Sequence, residues 1–296
     1  MKYPDYIGRF APSPSGSLHF GSLVTALASY LDARAKMGLW LVRIEDIDPP
    51  REQAGAASQI LKAIETYGME WDGKVVYQSN RHCAYENALN TLSQYNMLYP
   101  CICSRKKLSL LKGVYPNYCR KNTPDVNQPY ALRLKCPDKT LAFVDLIQDK
   151  QTYNLSSLGD FILKRKDKLY AYQLAVSVDD AFQGVTHIVR GYDLLDSTPR
   201  QLYLQSLLNY PSPIYAHVPI ITDTPDGNKL SKQNLAQPLP LDDPRPSLIK
   251  AMTTLGLKPD ETLLASSISE ILKWGIAQWD ITQVPKESSI ALAAIA

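Results

Sequence analysis

Two short segments, far apart in the chain, carry residue types suited to holding a nucleotide: His19-Phe20-Gly21-Ser22 and Lys229-Leu230-Ser231-Lys232. The first follows the loop Ala11-Pro12-Ser13-Pro14-Ser15-Gly16 and opens a helical pattern over 21–36, with Leu23, Leu27, Tyr30 and Leu31 on one face. A loop feeding a helix start presents unpaired N–H groups and the positive end of the helix dipole to phosphates. Gly21 would let an adenine ring or phosphates approach the backbone. His19 offers a donor for the charge that builds on an attacked α-phosphate. Lys229 and Lys232 follow the turn Asp226-Gly227-Asn228. On a mobile loop, their ammonium groups could close over β- and γ-phosphates and stabilise departing pyrophosphate. Taken singly, either segment also reads as an ordinary loop or a solvated lysine pair.

Five cysteines form a third candidate group. Cys101, Cys103 and Cys119 fall close together, with Tyr115 between, and three thiolates are most of a tetrahedral zinc site. Chemistry alone leaves the fourth ligand open among His82, Cys136, Tyr118 and Tyr115. Cys83 and Cys136 read as structural. An odd cysteine count in a chain without a secretion signal argues against a disulfide framework.

The elements that must position these residues alternate. Strands are expected over 6–10 and 39–44, helices over 53–67 and 81–95, then a strand over 186–189, a helix over 198–208 and a strand over 215–221. That order predicts an α/β fold: a Rossmann-type parallel-sheet catalytic domain. Helical period is lost after Tyr99, cysteines gather, and 130–134 alternates like a strand. Four units are therefore expected: 1–98, a zinc-bearing insertion over 99–149, 150–236, and a short helical module over 237–296 with helices at 247–255 and 260–274. The chain's 296 residues, 45% of them hydrophobic, supply a sizeable core. With 32 basic and 29 acidic residues the balance is near even, so RNA binding has to rest on motifs rather than on charge. The N-terminus lacks an apolar signal core, and no run approaches the roughly 20 apolar residues of a membrane span. A cytoplasmic protein with no membrane contact is expected.

Order and company sharpen the opening pair. The string Arg9-Phe10-Ala11-Pro12-Ser13-Pro14-Ser15-Gly16-Ser17-Leu18-His19-Phe20-Gly21-Ser22 resembles the HIGH-motif region of class I glutamyl-tRNA synthetases, and Lys229-Leu230-Ser231-Lys232-Gln233 resembles their KMSKS loop. Between them lie Arg43-Ile44-Glu45-Asp46-Ile47-Asp48, His187-Ile188-Val189-Arg190-Gly191-Tyr192-Asp193, Thr198-Pro199-Arg200-Gln201 and Tyr215-Ala216-His217-Val218, similar to the same family in the same order. The resemblance covers 6–233. It implies a Rossmann-type domain with its crevice at the strand C-termini. It also implies that glutamate is activated by ATP, with Mg2+ accompanying the nucleotide and no dedicated protein cage for the metal. Glutamate would sit among Arg9, Ala11, Ser13, Glu45, Tyr172 and Arg190. ATP would sit against Pro12, His19, Gly21, Ser22, Lys229, Ser231 and Lys232. Elementary chemistry agrees: two carboxylates need fixed guanidinium forks, which Arg9 and Arg190 supply, and one ammonium needs an anion, which Glu45 supplies. The substrate carboxylate is itself the nucleophile, so His19, Lys229 and Lys232 act by positioning and charge stabilisation.

A subgroup resemblance is also visible. Cys-x-Cys followed by Tyr-x-x-x-Cys looks like the zinc site of glutamyl-Q tRNA(Asp) synthetases, implying one structural Zn2+ on Cys101, Cys103, Tyr115 and Cys119. Glu45-Asp46-Ile47-Asp48-Pro49-Pro50-Arg51-Glu52 is similar to the same subgroup. Beyond Gln233 there are 63 residues, room for the start of a stem-contacting module and not for an anticodon-binding domain. The resemblance then implies transfer of glutamate to the queuosine base at the first anticodon position of tRNA(Asp) by a monomeric enzyme. The anticodon loop would dock over the site on a basic surface drawn from Arg105, Lys106, Lys107, Lys112, Arg120 and Lys121. The competing expectations are a truncated synthetase charging a tRNA acceptor end, another nucleotidyltransferase of the same motif class, and a non-catalytic RNA-binding paralogue. Lys232→Ala is expected to lower glutamate-dependent pyrophosphate exchange by about 100-fold or more without loss of folded protein, because a loop lysine has little packing to lose. Near-normal exchange would refute the role assigned to it.

Overall fold

The computed structural model describes residues 5–104, 108, 114–122, 124–223 and 237–294. The chain opens with strand β1 (Ile7–Phe10), helix α1 (Phe20–Ala35) and strand β2 (Leu39–Ile44). β1 and β2 pair in parallel, Ile7 opposite Leu39 and Phe10 opposite Val42, so α1 is the crossover of a β-α-β unit. Leu23, Leu27 and Leu31 are buried along α1 at the spacing expected for one face of a helix. Helix α2 (Ala56–Thr66), the short strand β3 (Val76–Tyr77) and helix α3 (His82–Gln94) follow, and β3 adds to β2 in parallel.

The middle of the chain is strand-rich: β4 (Leu98–Cys101), β5 (Ala131–Leu134), β6 (Thr140–Asp145), β7 (Asp149–Asn154) and β8 (Phe161–Lys164). The segment expected as an insertion over 99–149 shares its strands with its neighbours. β4 and β5 form an antiparallel sheet with β8, whereas β6 turns back as a hairpin with β7 and pairs in parallel with a later strand.

Helix α4 (Tyr172–Phe182), strand β9 (His187–Gly191), helix α5 (Thr198–Leu208), strand β10 (Ile214–Val218) and strand β11 (Ile220–Thr222) complete the sheet half. Helices α6 (Arg245–Thr254) and α7 (Ile268–Gln278) and strand β12 (Ser289–Ala291) complete the described chain. β10 lies between β9 and β6, parallel to both. The two halves meet where the Thr186 N–H donates to the Ile7 carbonyl at 2.9 Å and the Ile7 N–H donates to the Thr186 hydroxyl at 2.8 Å. β1 and β9 are therefore neighbours whose crossovers lead to opposite sides, the switch point at which open α/β sheets carry their ligand crevice.

One apolar core packs α1, β1 and β2 against the C-terminal helices, through Leu27, Trp40, Leu248, Met252 and Ile271. A second, around Tyr85, Leu92, Leu134, Leu163 and Leu174, joins α3, α4, β5 and β8. The C-terminal residues are integrated with the sheet rather than appended to it. Trp279 Nε1–H and the Tyr6 hydroxyl both donate to buried Asp32, and β12 pairs with β11. The helix expected over 260–274 divides in two. Asp260 caps a 3-10 turn, Glu261–Ala265, and Ser267 starts α7 with a capping box to Glu270. Each cap satisfies helix-start N–H groups that one continuous helix would have bonded internally.

Candidate active site

Arg9 lies in β1, Ala11, Pro12 and Ser13 in the loop after it, His19 at the N-cap of α1, and Gly21 and Ser22 in its first turn. Glu45 follows β2, Tyr172 begins α4 and Arg190 lies in β9. All ten line one cleft of about 560 Å³ at the strand C-termini. Sequence reasoning grouped these residues from distant segments, and the fold brings them together. Lys229, Ser231 and Lys232 lie outside the described residues.

The start of α1 is built for an anion. His19 is extended, and its Nδ1 accepts from the Ser22 N–H at 3.3 Å, so a neutral ring carries its proton on Nε2. Gly21 has a role beyond backbone access. A Cβ there would meet the His19 ring at 3.2 Å and Ile221 Cβ at 3.5 Å, so the missing side chain keeps the imidazole in place.

Behind the cleft sits a buried charge cluster. Asp180 accepts from Arg9 Nε at 3.2 Å and from Arg43 Nη1 at 2.7 Å, while Arg43 Nη2 donates to Glu45 at 3.2 Å. Burial pushes the Asp180 carboxyl up, but Arg43 and Arg9 outweigh it and hold the group below the usual carboxylate range. Burial pushes Glu45 up, against the pull of Arg43 and Arg9. Desolvation also opposes the charge on Arg43, yet Asp180, Glu45 and Asp179 keep it firmly protonated. Arg9 donates to Asp180 through Nε, so neither Nη group is taken by a carboxylate among the described residues, and Arg9 lines the cleft.

Arg190 is held differently. Only 3% of it is exposed, and its Nε donates to His217 Nε2 at 3.0 Å. Nη1 donates to Gln201 at 2.8 Å and, at 3.5 Å, to the Tyr172 hydroxyl; Nη2 donates to the Leu194 carbonyl at 3.2 Å and to Thr198 at 2.8 Å. Every partner is neutral. Among the described residues no carboxylate lies within 4.0 Å of this guanidinium, whereas Arg9 has one and Arg43 two. A buried cation with no adjacent anion is costly, and a carboxylate arriving in the cleft would offset that cost.

The cysteine cluster lies at the end of β4. Cys101 and Cys119 are buried, Cys103 is half-buried, and the three Sγ atoms fall within 4.8 Å of one another. Cys103 and Cys119 are 3.7 Å apart, and the Tyr115 hydroxyl is 3.5 Å from Cys101 Sγ and 3.7 Å from Cys103 Sγ. Tetrahedral zinc with bonds of about 2.3 Å to sulfur would space its sulfurs about 3.8 Å apart, so this donor set fits the ion. Tyr115 is fixed by the Cys119 N–H at 3.0 Å and by the Arg133 guanidinium 3.8 Å over its ring. Burial pushes the Cys101 thiol up, but hydrogen bonds with Tyr115 and Arg133 outweigh it and lower it to about 7, which favours the thiolate a metal needs. Cys136 is buried in the second apolar core, its N–H donating to Asp160 at 2.6 Å, but Cys83, expected to be structural, is exposed on α3.

A second cavity of about 660 Å³ reaches from the first toward these cysteines, sharing Ser13, Ser15, Glu45, Arg51 and Tyr172 with it. Of the basic surface expected to face RNA, Lys121 is exposed, and Arg120 is committed to Asp160 at 3.2 Å. Arg105, Lys106, Lys107 and Lys112 lie outside the described residues. Sequence reasoning assigned no role to Asp180, Asp145 or His217. The signal for Asp180 was present: Asp179 and Asp180 are two charges inside the apolar run Leu174–Ala181 of α4.

Fold and site together define a class. The chain belongs to the class I tRNA synthetases of the glutamate and glutamine branch, whose catalytic-domain family model matches residues 7–278. Within that family it resembles proteins named glutamyl-Q tRNA(Asp) synthetase. One from Pseudomonas fluorescens is 54% identical over 286 residues, 96% of this chain and 95% of that protein. One from Pseudomonas aeruginosa PAO1 is 52% identical over 282 residues, 95% of this chain and 96% of that protein. The crystal structure of glutamate-tRNA synthetase from Elizabethkingia anophelis superposes with a TM-score of 0.81 at 24% identity, covering 97% of this chain and 68% of that one, which shows a shared fold. Among the described residues no helix is long and apolar enough to cross a membrane.

Asp180→Asn, which leaves two buried guanidinium groups short of an anion, is expected to cost about 3–5 kcal/mol of stability at pH 7. Because the native Asp180 carboxyl lies below its ordinary value of 3.8, its contribution is complete above that pH and is lost as pH falls through the native value. Urea unfolding should therefore show the gap between wild type and variant closing below about pH 4. A gap that stays constant on acidification would contradict the assignment.

Proposed function

We propose that this protein activates glutamate with ATP to form glutamyl-adenylate and transfers glutamate to the queuosine base at the first anticodon position of tRNA(Asp). The observation that carries the reading is Arg190, a buried guanidinium in the cleft with neutral partners only. Together with Arg9, whose Nη groups contact no carboxylate among the described residues, and the carboxylate of Glu45, it offers two cationic groups and one anion, the complement of a dicarboxylic amino acid. Ala11, Ser13 and Tyr172 would shape the same pocket. Relatives above 50% identity over nearly the whole chain carry the name glutamyl-Q tRNA(Asp) synthetase, which supports this acceptor.

ATP would lie across Pro12, Gly21 and Ser22 with its phosphates toward the start of α1, accompanied by Mg2+, and with Lys229, Ser231 and Lys232 closing over them. The His19 Nε2–H would donate to the α-phosphate as the glutamate carboxylate attacks. The acceptor base would approach through the second cavity, which meets the first at Glu45 and Tyr172. Cys101, Cys103, Tyr115 and Cys119 would hold one Zn2+, which when bound fixes the loop beside that approach. We infer a monomer, built of the sheet halves 1–98 and 150–236, the cysteine-bearing segment 99–149 and the helical segment 237–296.

The wild-type protein should esterify labelled glutamate onto queuosine-containing tRNA(Asp) and leave guanosine-containing tRNA(Asp) and tRNA(Glu) unlabelled. Labelling of tRNA(Glu) would transfer the assignment to a synthetase charging the acceptor end. Cys103→Ser is expected to lower zinc per chain in elemental analysis of the purified protein; unchanged stoichiometry would sink the metal site.

A further inference from the structure

Three neighbouring strands end in a row of buried polar side chains. Asp145 closes β6, His217 lies in β10 and Arg190 in β9, with His217 directly opposite Arg190 in the strand register and Tyr215 opposite Asp145. His217 is fully buried and Asp145 is 1% exposed. The His217 ring contacts Asp145 through Nδ1 at 2.6 Å and Arg190 Nε through Nε2 at 3.0 Å. Asp145 also accepts from the backbone N–H groups of His217 at 3.1 Å, Ile147 at 3.1 Å and Gln148 at 2.9 Å, so its position is fixed by the main chain.

These contacts allow one tautomer. A guanidinium has no acceptor, so Nε2 must present its lone pair to Arg190; a carboxylate has no donor, so Nδ1 must carry the proton. The Thr198 hydroxyl, 3.3 Å from Nε2, agrees with this, since it accepts from Arg190 and has its own proton to give the ring. Burial is the main reason that the His217 pKa is lowered, to about 4, and the ring stays neutral at neutral pH despite Asp145. The carboxylate is thus kept one imidazole away from the cation. In direct contact it would occupy the guanidinium and cancel its charge, as Asp180 and Glu45 do for Arg43. One ring removed, it eases the burial of Arg190 without touching it, and the Nη1 contact with Tyr172, at 3.5 Å the longest of the five, is the one a ligand carboxylate would replace.

We propose that Asp145 and His217 are positioning residues for glutamate recognition: Asp145 fixes the His217 tautomer, and the Nε2 lone pair of His217 aims Arg190 into the cleft. The proposal rests on the reading that Arg190 receives a glutamate carboxylate. It separates two substitutions of equal polarity. In His217→Gln the side-chain carbonyl reaches the place of Nε2 and still accepts from Arg190. In His217→Asn the amide reaches only the place of Nδ1, keeping Asp145 and losing Arg190.

Glutamate-dependent pyrophosphate exchange tests this. His217→Asn should raise KM for glutamate about tenfold or more with KM for ATP within about twofold, and His217→Gln should keep both near wild type, as expected for loss of one charge-assisted hydrogen bond. Equal loss in both variants, or an unchanged glutamate KM in His217→Asn, would overturn the proposal. Should His217→Asn fail to fold, nitrogen NMR of the imidazole in the wild type and in Asp145→Asn decides. The wild-type ring should be protonated on Nδ1, and Asp145→Asn, whose amide can donate, should move the proton to Nε2 and weaken glutamate binding. A wild-type ring protonated on Nε2 would overturn it. Absence of any glutamate-dependent exchange by the wild-type protein would instead remove the underlying reading of Arg190.

Discussion

Burying guanidinium groups at the mouth of a parallel sheet is the constraint around which this protein is arranged. Arg9, Arg43 and Arg190 are each at most 3% exposed, and each would destabilise the fold if left without acceptors. For the first two the remedy is a carboxylate in contact, Asp180, which also ties α4 to β1 and β2. Arg190 has five neutral acceptors and a carboxylate only beyond the His217 ring. Arg43, held by two carboxylates, is thereby spent on holding the site together, while Arg9 and Arg190 keep charge for what enters it.

The sheet topology makes this arrangement possible. Parallel strands end on the same edge, so residues near the C-termini of β6, β10, β9, β1 and β2 come into line across the sheet. The bonds between Thr186 and Ile7 close the gap between the halves and set Arg190 near Arg9. Helix α1 supplies the remaining requirement, an N-terminus at that edge with His19 turned back over its first turn and Gly21 leaving it room. The cysteine cluster lies away from this edge, linked to it by the larger cavity, which suits a part in shaping the acceptor's approach rather than in activation.

Much of this was legible in the sequence, and the exceptions have physical causes. Element positions followed hydrophobic periodicity: β2 fell at 39–44 and α5 at 198–208, both as expected. The motif residues Arg9, His19, Glu45 and Arg190 met in one cleft because the chemistry that selects their types is local to each motif. Long-range compensation was less legible. Asp180 stands on a helix far along the chain from both arginines it bonds, and no spacing links Asp145 to His217. The strand content of 99–149 also hid a division, since β5 and β6 belong to different sheets and pairing partners are not written in a strand's own alternation. The split near Ser267 was readable in principle, because Ser267-x-x-Glu270 is a capping box.

The central claim is that Arg190 keeps its charge for a substrate carboxylate, and glutamate binding by isothermal titration calorimetry on the Arg190→Gln variant tests it most directly. The neutral glutamine side chain retains a polar group at that position without the charge. Affinity for glutamate should fall by about 100-fold, the loss expected for a buried charge-assisted pair of about 3 kcal/mol, while ATP affinity is retained. Glutamate affinity within about threefold of wild type, a difference of under 1 kcal/mol, would contradict the account.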